Sequence, residues 1–144
     1  MLVVDGSAAM DMAARTEKGM ALRGIMLEGD VAASPTSLRL DLANRFARFM
    51  KMKAVSRKVT LECLEATLTL IDQLVPYEEL LPEAFRYIAD RELTVDDALY
   101  YALARRLDAT LLTSNAELAA LCRETDVDCI DASEATAPEN QACR

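Results

Sequence analysis

The fold class is clearest in residues 92–118, which read ELTVDDALYYALARRLDATLLTSNAEL. Thr94 is a typical helix N-cap, and the apolar residues that follow keep helical spacing as far as Leu107. The short run ATLLT then has the character of a buried strand, and NAELAALCRE predicts another helix. A helix, a strand and a second helix within so short a stretch indicate an α/β protein.

The rest of the chain repeats this alternation. LVVD near the N-terminus and VDCID near residue 130 predict further strands, and DVAA and LVPYEEL are shorter candidates. Other helix starts are predicted at Ser7, residue 16, Ser34 with Pro35, Ser56 and Pro82. The helix from Ser56 is predicted to reach Gln73. This order favours a central parallel sheet covered by helices on both faces, in one domain over residues 1–131 with a loose polar tail over 132–144.

Composition excludes several kinds of site. The chain has 144 residues and no histidine, which rules out a Ser-His-Asp triad, a His-ligated zinc ion and a histidine base. Its four cysteines show no CxxC spacing and are expected to be reduced thiols. No apolar run is long enough to span a bilayer, and the first residues lack the basic region of a signal peptide. We therefore expect a cytoplasmic protein with no membrane partner.

Charge is distributed unevenly along the chain. The net charge of −8 argues against a non-specific coat for nucleic acid. Residues 39–58, RLDLANRFARFMKMKAVSRK, nevertheless hold seven lysines and arginines against one aspartate. A solvated helix face is the commoner explanation for such a segment, and a binding surface is the functional alternative.

Several acidic residues stand beside apolar stretches, at predicted strand ends or helix starts. They are Asp5, Asp41, Asp96 and Asp97. Taken singly, each has an ordinary explanation. Asp5, Asp96 and Asp97 are placed to cap helices, and Asp41 is placed for an i,i+4 ion pair with Arg45.

Taken together, the same acids predict a metal site. Carboxyl ends of parallel strands share one edge of the sheet, so Asp5 and Asn115 are candidates to meet there. Carboxylates gathered at one point repel one another unless a cation compensates their charge. Mg²⁺ or Mn²⁺ is the natural cation because both prefer oxygen ligands, and such an ion can activate water for phosphodiester hydrolysis.

Three stretches carry a family resemblance: VVDGSAAM, SLRLDLANRFARF and LTVDDALYYALARRLDATLLTSNAELA. In this order and spacing they resemble PIN-domain proteins, and more narrowly the VapC-type toxins of bacterial toxin–antitoxin pairs. The resemblance extends to about Ile130. It implies a three-layer α/β/α sandwich with a short central parallel sheet, an acidic pocket for Mg²⁺ or Mn²⁺, and endoribonuclease activity.

The resemblance also assigns roles to residues. The four acidic positions of the family fall on Asp5, Asp41, Asp97 and Asn115, and the first three are the expected metal ligands. Asp41 stands where the family usually has glutamate, so it is expected to reach the metal through water. Asn115 stands where the family usually has aspartate, which removes a charge. Supporting roles fall on Ser7, Thr113 and Asp96.

Partners follow mostly from the same resemblance. It implies an RNA substrate, a small antitoxin protein and a homodimer. Arg45 and Arg48, one turn and two turns beyond Asp41, are expected to contact RNA phosphates. The alternative function is a catalytically impaired PIN-like binding or scaffold module, which Asp41 and Asn115 favour. A receiver-type phosphoacceptor domain is disfavoured because no lysine follows Lys58.

Overall fold

The computed structural model describes residues 1–132, which form a parallel sheet with helices packed on it. The strands are β1 (Leu2–Val4), β2 (Ala32–Pro35), β3 (Gln73–Val75), β4 (Thr110–Thr113) and β5 (Cys129–Asp131). The helices are α1 (Gly6–Ala14), α2 (Glu17–Met26), α3 (Leu38–Lys53), α4 (Arg57–Leu68), α5 (Tyr77–Asp90), α6 (Val95–Leu107) and α7 (Ala116–Glu124). The predicted tail beyond Ala132 lies outside the described residues.

The sheet order explains how the helices divide into two layers. The strands run in the order β3-β2-β1-β4-β5, and every neighbouring pair is parallel. Because parallel crossovers are right-handed, helices that follow steps in opposite directions lie on opposite faces. Accordingly, α1 packs against α2, α3 and α4, whereas α6 packs against α5 and α7. The predicted three-layer α/β/α fold is confirmed.

The core centres on α6. Every residue from 98 to 104 is buried, including both Tyr100 and Tyr101. A helix that is apolar on all sides belongs in the interior, and here α6 lies against β1, β2 and β4. Within residues 1–132, no helix has the length and apolar character needed to cross a membrane.

Two predicted helix starts are wrong, the first of them because strand pairing extends further than the local sequence suggests. Ser34 and Pro35 belong to β2, where the Ser34 hydroxyl donates to the Val4 carbonyl at 2.9 Å. The helix expected there, α3, begins three residues later at Leu38. Pro82 lies inside α5 rather than at its start.

Two further boundaries differ from the prediction. Ser56 caps α4 as expected, but the helix ends at Leu68, and Gln73 instead begins β3. Ser7 is not the N-cap of α1, because Asp5 takes that position and leaves Ser7 within the first turn. This second difference brings the Ser7 hydroxyl into the region described next.

Candidate functional site

Polar side chains gather where the chain order in the sheet reverses. β1 and β4 are neighbours, but the helices that follow them, α1 and α7, lie on opposite faces. Such a reversal opens a crevice at the carboxyl ends of the two strands, the usual place for a site in a parallel sheet. Asp5 follows β1 directly, and Asn115 follows β4 by two residues.

Asp5 is the most buried carboxylate of this crevice, with 2% of its surface exposed. One carboxylate oxygen, Oδ1, accepts the Ala8 amide at 2.8 Å and the Ser7 hydroxyl at 2.7 Å, and Oδ2 accepts the Thr113 hydroxyl. Burial raises the pKa of Asp5 to about 6, although these hydrogen bonds and the charge of Arg45 lower it. The structure therefore places both predicted supporting hydroxyls, Ser7 and Thr113, on Asp5.

The side-chain amide oxygen of Asn115 points toward the start of α7. That oxygen accepts the backbone amides of Glu117 at 3.0 Å and Leu118 at 3.4 Å, which caps α7. With the oxygen held, the Asn115 side-chain nitrogen donates to Asp97 Oδ2 at 3.3 Å. Asn115 therefore joins the start of α7 to the start of α6, and its amide oxygen faces the backbone.

Asp96 and Asp97 occupy the first turn of α6. Thr94 caps this helix as predicted, and its hydroxyl accepts the Asp97 amide at 3.1 Å. Burial raises the pKa of both carboxyls, and the charge of Asp41 raises them further. The charge of Arg45 lowers both. Asp41, Asp96 and Asp97 are therefore close enough to act on one another electrostatically.

Asp41 has both carboxylate oxygens engaged. Oδ1 accepts from Arg45 Nε at 2.8 Å, which is the i,i+4 ion pair that the sequence predicted. Oδ2 accepts from the Tyr100 hydroxyl at 2.8 Å, across from α6. Only 10% of the Asp41 side chain is exposed, so this pair is shielded from solvent more than an ordinary surface ion pair.

Three residues of this region were not predicted from the sequence. Gly6 lies so close to Asp41 that a Cβ there would stand 2.1 Å from Asp41 Oδ2. Tyr100 holds Asp41, and Asp11 accepts the Ser114 hydroxyl. A signal for Gly6 existed, because a glycine directly after Asp5 permits close backbone approach. Tyr100 is one helical turn beyond Asp97, but its phenol group is also consistent with simple packing.

Comparison with known proteins identifies the family of the chain. Residues 2–124 match the PIN domain. The chain belongs to the PIN domain family. The predicted resemblance to this family is confirmed, and the match spans β1 through α7, which contains every residue of the crevice.

Individual proteins are also similar to this PIN domain over most of its length. It is 32% identical over 119 residues to Ribonuclease VapC1 of Mycobacterium tuberculosis, covering 82% of this chain and 88% of that protein. Its fold matches the crystal structure of PAE2754 from Pyrobaculum aerophilum with a TM-score of 0.62, 24% identity, and coverage of 83% and 84% of the two chains. It also matches Mycobacterium tuberculosis VapC20, a sarcin-ricin loop cleaving toxin, with a TM-score of 0.63, 13% identity, and coverage of 84% and 95%.

The donor chemistry of the PIN-domain crevice fits a hard divalent cation. The side-chain atoms available as metal ligands are mainly carboxylate and hydroxyl oxygens. Burial raises the pKa of Asp5, Asp96 and Asp97, and the negative charge of Asp41 adds to this effect for Asp96 and Asp97. Across residues 1–132, however, no three acidic or cysteine side chains are grouped to hold one ion together. Asp5, Asp41 and Asp97 border the crevice without converging in this conformation, so their role as a ligand set stays a prediction.

Removing the Tyr100 hydroxyl should destabilise this PIN domain through Asp41. Burial and the negative charge of Asp41 raise the pKa of Tyr100, so its hydroxyl remains a donor to that carboxylate. Tyr100→Phe should lower the free energy of unfolding by about 1–2 kcal/mol, because the acceptor is charged and shielded. Tyr101→Phe is the comparison variant, since its hydroxyl donates to the neutral Thr125 hydroxyl at 2.8 Å and its charged partner, Arg105, is an exposed donor at 3.2 Å. Urea unfolding that finds the larger loss in Tyr101→Phe would contradict this assignment.

Proposed function

We propose that this PIN-domain protein is an endoribonuclease that hydrolyses RNA phosphodiester bonds with Mg²⁺ or Mn²⁺ held by Asp5, Asp41 and Asp97. The observation that carries the proposal is the group of carboxyls at the reversal point of the sheet, where Asp5 is buried and the charges of Asp41, Asp96 and Asp97 repel one another. Burying several acids together costs stability, which is consistent with a site selected for function. The 32% identity to a protein named Ribonuclease VapC1 supports the same activity.

The side chains of the crevice have distinct tasks in this proposal. The ion, when bound, lowers the pKa of a coordinated water and so supplies the nucleophile at neutral pH. Asp5 is fixed by Ser7, Thr113 and the Ala8 amide, which hold its carboxylate in one orientation. Asn115 orients Asp97 through its side-chain nitrogen. No histidine exists to act as a base, so deprotonation of water depends on the carboxylates and the ion.

RNA is proposed to approach across α3. A cleft of about 360 Å³ adjoins the crevice and is lined in part by Asp41, Asp96, Arg39 and Tyr77. Arg48 is exposed on the same helix, where its guanidinium can contact phosphates. Arg48→Ala should weaken RNA binding and reduce its dependence on salt concentration, measured by fluorescence anisotropy between low and high salt. Unchanged affinity and salt dependence would indicate that Arg48 is an ordinary solvated residue of α3 that does not contact RNA.

One observation favours the second candidate, a catalytically impaired binding or scaffold module. The Asn115 amide oxygen caps α7, and both oxygens of Asp41 are already paired. Two of the four family positions are therefore occupied by structural contacts. In that case the protein would bind RNA or a protein partner without cutting RNA.

Partners and location remain proposals drawn from the relationship to VapC proteins. We propose a small antitoxin protein that inhibits the enzyme, a homodimer as the active form, and a cytoplasmic location. Light scattering of the purified chain tests the dimer, and a monomeric mass at micromolar concentration would contradict it. Co-expression with the product of an adjacent small gene tests the antitoxin, since a true partner should relieve growth inhibition.

RNA cleavage distinguishes the two candidate functions. Total tRNA and rRNA are incubated with the purified protein in Mg²⁺, in Mn²⁺ and in EDTA. We expect discrete fragments with either ion and none in EDTA. Asp97→Asn should lose this activity, whereas Asp90→Asn, on an exposed residue at the end of α5, should retain it. Absence of cleavage by folded, antitoxin-free protein in every condition would favour the binding module.

A further inference from the structure

Arg45 points into the acidic crevice rather than away from it. Its Nε lies 2.8 Å from Asp41 Oδ1, and about two thirds of its side chain is buried. A Cβ at Gly6 would stand 2.9 Å from the same nitrogen, so the guanidinium group packs directly on the turn between β1 and α1. The site therefore contains a positive charge that belongs to the chain itself.

The charge of Arg45 acts on four acids of the crevice. Beyond its contact with Asp41, it lowers the pKa of Asp5, Asp96 and Asp97, each of which burial raises. A divalent ion held by these carboxylates would have the same electrostatic effect. Arg45 and such an ion can therefore each compensate the same negative charge. The carboxylate of Asp41 is the group that both cations would contact.

We propose that Arg45 is a resident counter-cation that competes with the divalent ion for the Asp41 carboxylate. The inference rests on the proposed metal-dependent function, which it deepens by naming what must move when the ion binds. Without the ion, Arg45 limits repulsion among the acids and holds Asp41 against Tyr100. With the ion bound, Asp41 exchanges one cation for another, and the freed guanidinium lies beside the crevice where it can contact an RNA phosphate.

The competition has a measurable consequence for metal affinity. Binding of the ion at Asp41, directly or through water, weakens the Arg45–Asp41 pair, so the ion binds more weakly than the carboxylates alone would allow. Arg45→Gln should therefore tighten Mn²⁺ binding by about fivefold or more, since a charge-assisted contact no longer opposes it. Arg45→Lys, which keeps the charge but loses the planar Nε–H donor, should give a smaller gain.

A double-mutant cycle distinguishes competition between Arg45 and the ion for Asp41 from a general change in the electrostatic potential of the crevice. In an Asp41→Asn background, Arg45→Gln should change Mn²⁺ affinity by less than about twofold, because the contested carboxylate is already gone. Arg86→Gln makes the same charge change at an exposed residue of α5 and should leave affinity unchanged. If the amide variant unfolds, Arg45→Met keeps the aliphatic stem and serves in its place.

Isothermal titration calorimetry of Mn²⁺ into metal-free protein is the test, with circular dichroism to confirm folding. Tighter binding in Arg45→Gln, including binding that the wild type lacks, supports the inference, provided that the gain disappears in the Asp41→Asn background. Equal or weaker binding, or an equal gain in both backgrounds, overturns it while leaving the proposed metal site intact. No Mn²⁺ binding in any variant overturns both the inference and the metal dependence of the proposed function.

Discussion

Asp5→Asn should abolish RNA cleavage and, at the same time, make the metal-free protein more stable at pH 8. The pKa of Asp5 rises from 3.8 in the unfolded chain to about 6 in the fold, first because the carboxyl is buried. An ionised Asp5 therefore destabilises the fold at neutral and alkaline pH. Asparagine keeps an oxygen for the Ser7 and Ala8 donors and presents an amide to Thr113, whose hydroxyl can also accept.

The sign of the pH dependence follows from proton binding. Between pH 3.8 and about 6 the folded protein binds the Asp5 proton more tightly than the unfolded chain does. The cost of ionisation is complete above pH 6, at most about 3 kcal/mol, and disappears as the pH falls toward 3.8. The gain in stability from Asp5→Asn should therefore be largest at pH 8 and small near pH 4.

Urea unfolding in EDTA at pH 8, 6 and 4.5 measures this prediction. Asp72→Asn is the control, because Asp72 is exposed and also accepts a backbone amide, from Ala32 at 2.9 Å. Its effect on the free energy of unfolding should stay within about 0.5 kcal/mol. If Asp5→Asn were less stable than the wild type at pH 8, the hydrogen bonds of the carboxylate would outweigh its burial. Retained cleavage activity would show that Asp5 is not required for catalysis.

Gly6→Ala should severely disrupt the crevice around Asp41. A Cβ at Gly6 would stand 2.1 Å from Asp41 Oδ2 and 2.6 Å from its Cγ, far inside contact distance. Asp41 cannot easily move aside, because Tyr100 and Arg45 hold its two oxygens. We expect a loss of about 1–3 kcal/mol in the free energy of unfolding, as for an overpacked core, together with a loss of at least about a hundredfold in cleavage rate.

Two other glycines provide matched controls. A Cβ at Gly19 would meet the Asp11 carbonyl oxygen at 1.9 Å, so Gly19→Ala should destabilise the packing of α2 on α1. Its cleavage rate per folded molecule should fall much less. Gly24 has open space around it within α2, and Gly24→Ala should add about 0.5–1 kcal/mol of stability. If Gly6→Ala and Gly19→Ala lost activity in proportion to stability alone, Gly6 would have no specific role in the crevice.

Local patterns predicted the parts of the fold that depend on neighbouring residues. Thr94 and Ser56 cap helices because a hydroxyl placed before an apolar helical run can accept the first free amides. The order of strands and helices was sufficient to predict the layered architecture and the shared edge of Asp5 and Asn115. These predictions need no knowledge of distant contacts.

The boundaries that failed depend on pairing between distant strands. Pro35 looks like a helix start, but the Thr36 amide donates to the Val75 carbonyl at 2.8 Å, which continues the pairing of β2 with β3. Gln73 pairs with Ala33, so α4 must end early enough to leave residues for that strand. Local propensity cannot report such contacts, because their partners lie about forty residues away.

The sequence predicted the acidic residues of the candidate site, but only some of the contacts between them. The sequence placed the acids near one another, and it also offered the ion pair of Asp41 with Arg45 as the ordinary explanation, which the structure confirms. It gave no sign that Tyr100 would hold the other oxygen, or that the Asn115 side-chain nitrogen would donate to Asp97. Both contacts depend on the packing of α6 against α3 and α7, which only the folded chain determines.

The most direct test of a metal-activated water is the chemistry of the RNA ends. A water that attacks phosphorus leaves linear phosphate ends, whereas attack by the ribose 2′-hydroxyl leaves a 2′,3′-cyclic phosphate. Metal-stripped protein is supplied with Mn²⁺ and a short RNA that it cleaves, and the products are identified by mass spectrometry. The account predicts linear ends only, formed with Mn²⁺ and absent in EDTA. Cyclic phosphate ends, or cleavage that continues in EDTA, would contradict it.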